Sequence, residues 1–367
     1  MSTWYQRWMH DWETRLTTRD TNRVVRPLDW GAEWTQGWPG VNGTRPQAGH
    51  EAAEKFFHQL NRHIVEHSDD FFAYRTPTDF RLERHKVERH HPGDAPAPRD
   101  GDLGYADFLR FTSPIRTPYP ENDTANARWF PARGHRAMIV LPQWNADALG
   151  HNALCRMFNL AGIAALRLSM PYHDVRRPPE IQRADYAVSA NVGRTLAAAR
   201  QAIADIRSCL DWLETQGYRQ FGILGTSLGS CYAFIASAHE PRLRLNAFNH
   251  ASTYFADVVW TGQSTRHIRA GIEAEIGLES LRQAWLAISP MAYFDQFARF
   301  PKKSLIVYAT HDLTFLPEFS RQVVEEFERR DLEHEVAVLP CGHYTTGETP
   351  FKFLDAWHIT RFVGRNL

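Results

Sequence analysis

The run Phe221-Gly222-Ile223-Leu224-Gly225-Thr226-Ser227-Leu228-Gly229-Ser230-Cys231-Tyr232-Ala233-Phe234-Ile235 leaves few folds open. Phe221 to Leu224 is a short apolar run suited to a buried parallel strand, and Cys231 to Ala236 is apolar all round, as in a helix inside a packed core. A strand that becomes a helix within a few residues forces its apex into strained backbone geometry. Glycine two positions before and two after that apex, here Gly225 and Gly229, leaves room for the neighbouring elements to pass. Ser227 is then expected at the top of a sheet with its hydroxyl exposed. A pattern this short arises by chance in roughly one chain in ten of this length, so its weight rests on what the rest of the chain supplies.

The rest supplies strands and helices in alternation. Phe108 to Phe111, Ala127 to Phe130, Arg136 to Leu141, Ile163 to Leu168, Phe221 to Leu224, Leu243 to Phe248, Lys303 to Ala309 and Glu335 to Leu339 read as eight strands. Helical periods fall between them, at Ala146 to Leu160, Asn191 to Thr215, Leu316 to Arg330 and Phe351 to Phe362. Such alternation predicts an α/β fold with a mainly parallel sheet covered by helices on both faces. Functional residues of such a sheet collect on loops at the carboxyl ends of its strands. Asp312 lies just past Ala309 and His343 just past Leu339, so both are expected at the same edge as Ser227. A serine hydroxyl is a poor nucleophile near neutral pH until a base takes its proton, and a histidine does so when a carboxylate fixes its tautomer. The expected catalytic residues are therefore Ser227, Asp312 and His343. His250 and His311 are weighed as alternative bases and Asp331 as an alternative acid, and each is set below the first choice on its position.

Ahead of this region the chain has another rhythm. Trp4, Trp8 and Trp12 recur at i, i+4 and i+8, giving a helix over the first 16 or so residues with one aromatic face, for packing on the body or on a second subunit. Trp30, Trp34 and Trp38 stand among Gly31, Gly37, Pro39 and Gly40 in an irregular segment. Ala53, Phe56, Phe57, Leu60 and Ile64 form another helical stripe. Within it His63-Ile64-Val65-Glu66-His67 matches a zinc-binding H-x-x-E-H pattern, but in a chain with 18 histidines the run reads as the edge of a packing stripe. No metal or cofactor is expected. The Pro-, Gly- and Asp-rich stretch at residues 91–102 reads as a linker. The expected division is an aromatic-rich, mostly helical extension with its linker over 1–103 and the sheet domain over 104–367, with residues 249–300 as a candidate helical cap.

Lys plus Arg equals Asp plus Glu at 42 each, which gives no basic field for nucleic acid and favours a small-molecule partner. The four cysteines are widely spaced, as expected of reduced thiols in a cytoplasmic protein. Met1 to Glu13 lacks an apolar core and no stretch approaches 18 apolar residues, so neither a signal peptide nor a membrane span is expected. A homodimer through the tryptophan helix is the expected assembly if that stripe serves a second subunit.

From Asp107 to Leu367 the sequence resembles the α/β-hydrolase superfamily, with Gly225-Thr226-Ser227-Leu228-Gly229 as nucleophile elbow, Ala309-Thr310-His311-Asp312 as acid loop and Gly342-His343 as histidine loop. The resemblance implies an oxyanion hole made by the backbone N–H of Leu228 and one from the loop after the third strand, Gln143 or Trp144. That loop reads Leu141-Pro142-Gln143-Trp144-Asn145-Ala146-Asp147, where one group of lipases and esterases carries His-Gly-Gly-Gly. Tyr172-His173-Asp174 with Arg176 and Arg177 is similar to bacterial members related to dienelactone hydrolases, deacetylases and prolyl-oligopeptidase-like enzymes. The expected function is a serine hydrolase that cleaves a carboxylic ester, thioester or amide through an acyl-enzyme. An acyltransferase on the same triad and a catalytically silent binding protein are the alternatives. Tyr172, Trp260 and Trp285 are the expected substrate-binding residues.

Overall fold

The computed structural model describes residues 3–41, 49–87 and 104–367; the expected linker at 91–102 lies outside the described residues. The chain forms in order α1 (Thr3–Thr17), α2 (His50–Glu66), α3 (Ser68–Phe71), β1 (Arg81–Lys86), β2 (Tyr105–Thr112), β3 (Thr124–Phe130), β4 (Arg136–Leu141), α4 (Asn152–Leu160), β5 (Ala164–Ser169) and α5 (Val192–Thr215). It continues through β6 (Gln220–Thr226), α6 (Leu228–Ala238), β7 (Leu243–Asn249), α7 (Phe255–Thr261), α8 (Arg266–Ile272), α9 (Leu278–Ala284), α10 (Phe294–Phe297), β8 (Lys303–Ala309), α11 (Pro317–Arg329), β9 (His334–Leu339) and α12 (Phe351–Asn366).

The strands make one sheet in the order β1-β2-β3-β5-β4-β6-β7-β8-β9. β1, β2, β3 and β5 pair antiparallel in succession, and every neighbour from β5 to β9 is parallel. The sheet has nine strands where eight were expected. The additional one, β1, reads Arg-Leu-Glu-Arg-His-Lys and carries no apolar alternation. It is an edge strand paired along its length with β2, with ion pairs across the ladder, Arg110 Nη1 3.3 Å from Glu83 and Arg84 Nη1 3.4 Å from Asp107. Charged side chains of this kind also protect an open edge from pairing with another chain. The helix expected from Ala146 starts only at Asn152, because Asn145 (φ 61°) and His151 (φ 68°) hold left-handed backbone that interrupts it.

Successive strand residues feed opposite faces. Ala137, Ile139 and Leu141 of β4 join the larger apolar cluster, under α5 and α6, whereas Met138 and Val140 join the other, under α4 and α12. Burial on both sides is why these strands read as continuous apolar runs.

The N-terminal helix turns a different face to the body from its tryptophan stripe, of which only Trp12 joins a core cluster. Its buried residues are Met9, Glu13, Leu16 and Thr17, while Trp4 is 65% exposed. The tryptophans instead stack along the helix surface, Trp4 on Trp8 at 6.1 Å, and Trp12 meets Phe351 of α12. The α2 stripe does enter the main core, with Trp30 stacked on Phe57 at 5.4 Å. Buried Asn61 donates to the carbonyl of Ala284 (2.7 Å) and accepts from the N–H of Ala287 (2.9 Å). These bonds fasten α2 to the segment between β7 and β8.

Candidate active site

The β6–α6 turn is built by steric exclusion. A Cβ on Gly225 would fall 2.1 Å from the carbonyl oxygen of Gly229, and one on Gly229 would fall 2.7 Å from those of Leu141 and Pro142. The two glycines therefore let α6 start hard against β6 and against the end of β4. Ser227 takes the strained apex, at φ 57° and ψ −120°, and its N–H donates to the Asn249 carbonyl at 2.8 Å. Leu228 is the first residue of α6, so its N–H has no acceptor within the helix and lies at the positive end of the helix dipole. The close approach of Gly229 to Leu141 and Pro142 brings the Gln143 loop beside it.

Three strand ends converge here. His343 Nε2 lies 3.0 Å from Ser227 Oγ, and His343 Nδ1 lies 2.9 Å from Asp312 Oδ2. With Nδ1 donating to the carboxylate, Nε2 is left to accept the serine proton. Asp312 is held from every side: Oδ1 accepts the N–H groups of Thr314 and Phe315, both at 2.7 Å, and Oδ2 also accepts Nδ1 of His250 at 2.8 Å. Burial pushes the Asp312 carboxyl up, but the charge and hydrogen bonds of the two histidines outweigh it and keep the group well below the usual carboxylate range. Burial lowers the His343 imidazole, yet Asp312, followed by Glu13, raises it on balance. For His250, burial and the neighbouring His343 outweigh the same carboxylate, so this ring is held toward its neutral form. The two rings stand 4.5 Å apart, and Phe315 stacks face-on against His343 at 5.3 Å.

His250 thus shares the acid without touching the serine, a role the sequence did not suggest. The other residues weighed in the sequence lie elsewhere: His311 bonds to Thr310 Oγ1 and packs on Tyr5, and Asp331 is exposed just past α11. Among the described residues, His250, Asp312 and His343 are the group whose donor atoms lie close enough, within 4.8 Å, to hold a metal ion. Those donors are hydrogen-bonded to one another, and His343 Nε2 to the serine. His63 and His67 stack at 4.3 Å along α2.

Gln143 is exposed, and Trp144 is fixed by its Nε1–H on the Ala184 carbonyl (2.9 Å) and by stacking on His267 of α8 at 5.9 Å. Tyr172 and Trp285, expected to bind substrate, are fully buried. The Tyr172 ring packs against Tyr119 and Tyr186, and Trp285 lies against Phe255 with its Nε1–H toward the Val192 carbonyl. Trp260 is covered by Arg269, whose guanidinium sits 5.1 Å from the ring centroid. The contacts of these three residues go to the protein core and the insertion rather than to Ser227 or His343. Arg176 is fully buried. It pairs with Asp205 at 2.8 Å and donates to the carbonyls of Asn122 and Ser169. A small cleft, partly open to solvent, is lined by Asn145, Asp147, Tyr172, Asp174, Arg177 and Ala184, and Ser227 is not in its lining.

Behind the serine, the Asn249 side chain donates to both oxygens of Asp355 on α12, at 3.2 and 3.1 Å. Burial pushes the Asp355 carboxyl up to about 7 against that hydrogen bond. The folded state therefore binds a proton that the unfolded chain has lost, and stability should fall as pH rises from about 4 to about 7. Asp355→Asn, which needs no such proton, should gain stability relative to the parent at pH 8 by about 1 kcal/mol or more and much less at pH 4.5, read by urea unfolding. Equal effects at both pH values would place the ionised carboxylate in the fold.

The sheet order and the turn at Ser227 define an α/β-hydrolase fold. Residues 151–289, less than half of the chain, match the family model described as alpha/beta hydrolase domain containing 18. Acetyl xylan esterase from Paenibacillus sp. R4 is similar in structure at a TM-score of 0.56 and 12% identity, over 92% of this chain and 99% of that one. Acetyl xylan esterase 1 from Thermoanaerobacterium sp. gives 0.54 and 13%, over 96% and 97%. Acylaminoacyl peptidase from Pyrococcus horikoshii gives 0.51 and 12%, over 78% of this chain but only 42% of the peptidase. No curated protein matches the sequence. The fold of a hydrolase is common to all of these. Among the described residues, no helix is long and apolar enough to cross a membrane, and all four cysteines are buried and unpaired.

Proposed function

We propose that the protein is a serine hydrolase that cleaves a carboxylic ester through an acyl-enzyme formed on Ser227. The observation that carries this reading is the unbroken relay from Ser227 Oγ through His343 (3.0 Å) to Asp312 (2.9 Å). In the first half-reaction Ser227 Oγ attacks the ester carbonyl as its proton passes to His343 Nε2, and the imidazolium faces the Asp312 carboxylate. The oxyanion is met by the Leu228 N–H and by a backbone N–H of Gln143 or Trp144, in a site where each donor is worth about 3–4 kcal/mol of transition-state stabilisation. The alcohol leaves with the proton from His343, and water then takes the place of the alcohol in reverse order. The acetyl xylan esterases among the structural neighbours support an ester with a small acyl group as the first substrate to try.

The test is a fluorophosphonate probe followed by intact-mass and peptide mapping, then p-nitrophenyl esters of increasing acyl length. A single adduct on the peptide containing Ser227, with faster turnover of acetate than of longer esters, is expected. Absence of any adduct on folded protein would remove the nucleophile from this reading.

A further inference from the structure

The stripe of α1 that faces the body is Tyr5, Met9 and Glu13, and it runs along the loop that carries His343. The Tyr5 hydroxyl donates to the Pro340 carbonyl, and the Thr345 hydroxyl lies 3.4 Å from Met9 Sδ. Glu13 Oε1 accepts the N–H of Tyr344 at 2.7 Å, and Oε2 accepts that of Thr345 at 3.0 Å. Glu13 is fully buried, a costly place for a carboxylate unless its oxygens are satisfied. Both are, by donors from the two residues that follow the histidine. On the other side, a Cβ at Gly342 would stand 2.4 Å from Glu13 Oε2, so the residue before His343 lies directly on the carboxylate. The loop's internal bonds, Gly342 N–H to Thr345 Oγ1 at 2.6 Å and Thr346 N–H to the Gly342 carbonyl at 3.1 Å, close a tight turn around that anion.

We infer that Glu13 of the N-terminal helix is a positioning residue of the active site, fixing the His343 loop so that the imidazole reaches Ser227. The inference rests on the reading of Ser227 and His343 as nucleophile and base. Glu13 touches no reacting atom; it acts through the backbone on either side of His343. Burial raises the Glu13 carboxyl on balance, against the N–H groups of Tyr344 and Thr345 and the charge of His343, all of which favour the ionised form that accepts on both oxygens. The charge has a second consequence. The groups facing His343 are Asp312 at the end of β8, His250 at the end of β7, Tyr344 of its own loop and Glu13 of α1, while Cys341 and Asp312 face Glu13. Asp312 and Glu13 are the two negative charges that favour the imidazolium. A base must be neutral to take the serine proton, so activity should rise with pH through the His343 titration, and removing the Glu13 charge should move that rise to lower pH.

The experiment compares Glu13→Gln and Glu13→Asp with the parent on p-nitrophenyl acetate across pH 5–9, with thermal melting and imidazole NMR of His343. Glu13→Gln should lose about 10- to 100-fold in kcat with KM changed less than threefold, since a displacement of about 1 Å costs that much, and its kcat/KM midpoint should move to lower pH. Glu13→Asp keeps the charge but not the reach, so kcat should fall while the midpoint stays. A folded Glu13→Gln with the parent's kcat and midpoint overturns the inference. So does a loss that only follows the folded fraction with the midpoint unmoved. If Glu13→Gln does not fold, a folded Glu13→Asp with undiminished kcat overturns it equally. Failure of the parent to be labelled at Ser227 would instead strike the proposed function, while the NMR titration of His343 still reads the effect of Glu13.

Discussion

Ser227→Ala should lower kcat on a p-nitrophenyl ester by about 10⁵- to 10⁶-fold, the cost of deleting a nucleophile from a triad that acts as a unit, and should abolish the fluorophosphonate adduct. The fold should hardly notice. The Ser227 hydroxyl has one hydrogen bond, to His343 Nε2, and the bond that anchors the elbow comes from its backbone N–H to Asn249, which alanine retains. Alanine also meets the same backbone cost at φ 57° as serine does. Melting within about 2 °C of the parent is expected, so lost activity cannot be put down to unfolding. A variant that keeps measurable turnover and still takes the probe would move the chemistry to another nucleophile.

What could be read from the residues is the part governed by local pattern. The eight apolar strands, the glycines around Ser227, and the acid and histidine just past their strands are spaced by geometry that neighbouring residues impose, and each is found at its strand end. β1 was hidden because its stability comes from partners on β2 across a break in the sequence pattern, not from apolar alternation of its own. The tryptophans of α1 mark a face that meets the body only at Trp12. Aromatic spacing announces that something stacks, and here the rings stack on each other, while the face that meets the body is one residue further on and includes a carboxylate. Glu13 carries no sequence signal that separates it from Asp11 or Arg15, because its meaning depends on a loop some 330 residues away. His250 was visible two residues past the strand expected to end at Phe248, but only the structure turns its Nδ1 onto Asp312. Arg176 and Trp285 show how burial bears on residues whose chemistry suggests a ligand: both are enclosed, the first in an ion pair with Asp205 and the second against Phe255.

Asp312→Asn should cost about 10³- to 10⁴-fold in kcat, and the sharing of the acid by two histidines gives the reason. An amide has one oxygen and one NH₂ where the carboxylate has two oxygens. The N–H groups of Thr314 and Phe315 both point at the Oδ1 position, so the amide oxygen must face them and the NH₂ must take the place of Oδ2. There it meets Nδ1 of His343 and Nδ1 of His250, each of which donated to the carboxylate in the parent. Both rings must then accept at Nδ1 and carry their proton on Nε2. His343 Nε2, 3.0 Å from Ser227, would hold a proton rather than take one, and the base is lost with its position unchanged. In another triad on a different fold the same exchange costs about 10⁴ in kcat through the same tautomer. KM should change little, since no substrate contact is removed. Stability should also fall, by about 1.5–3 kcal/mol near pH 7, because hydrogen bonds to a charged acceptor are lost. The parent's own share of that stability follows from the depressed Asp312 pKa. It is fully present above about pH 4, where the unfolded chain's carboxyl is already ionised, and it is lost as pH falls through the lower folded value, so the variant and the parent should converge in acid. Proton NMR gives a readout independent of rate: the low-field His343 Nδ1–H resonance should vanish in the variant. Asp312→Asn with kcat within tenfold of the parent and that resonance retained would place the orienting acid elsewhere.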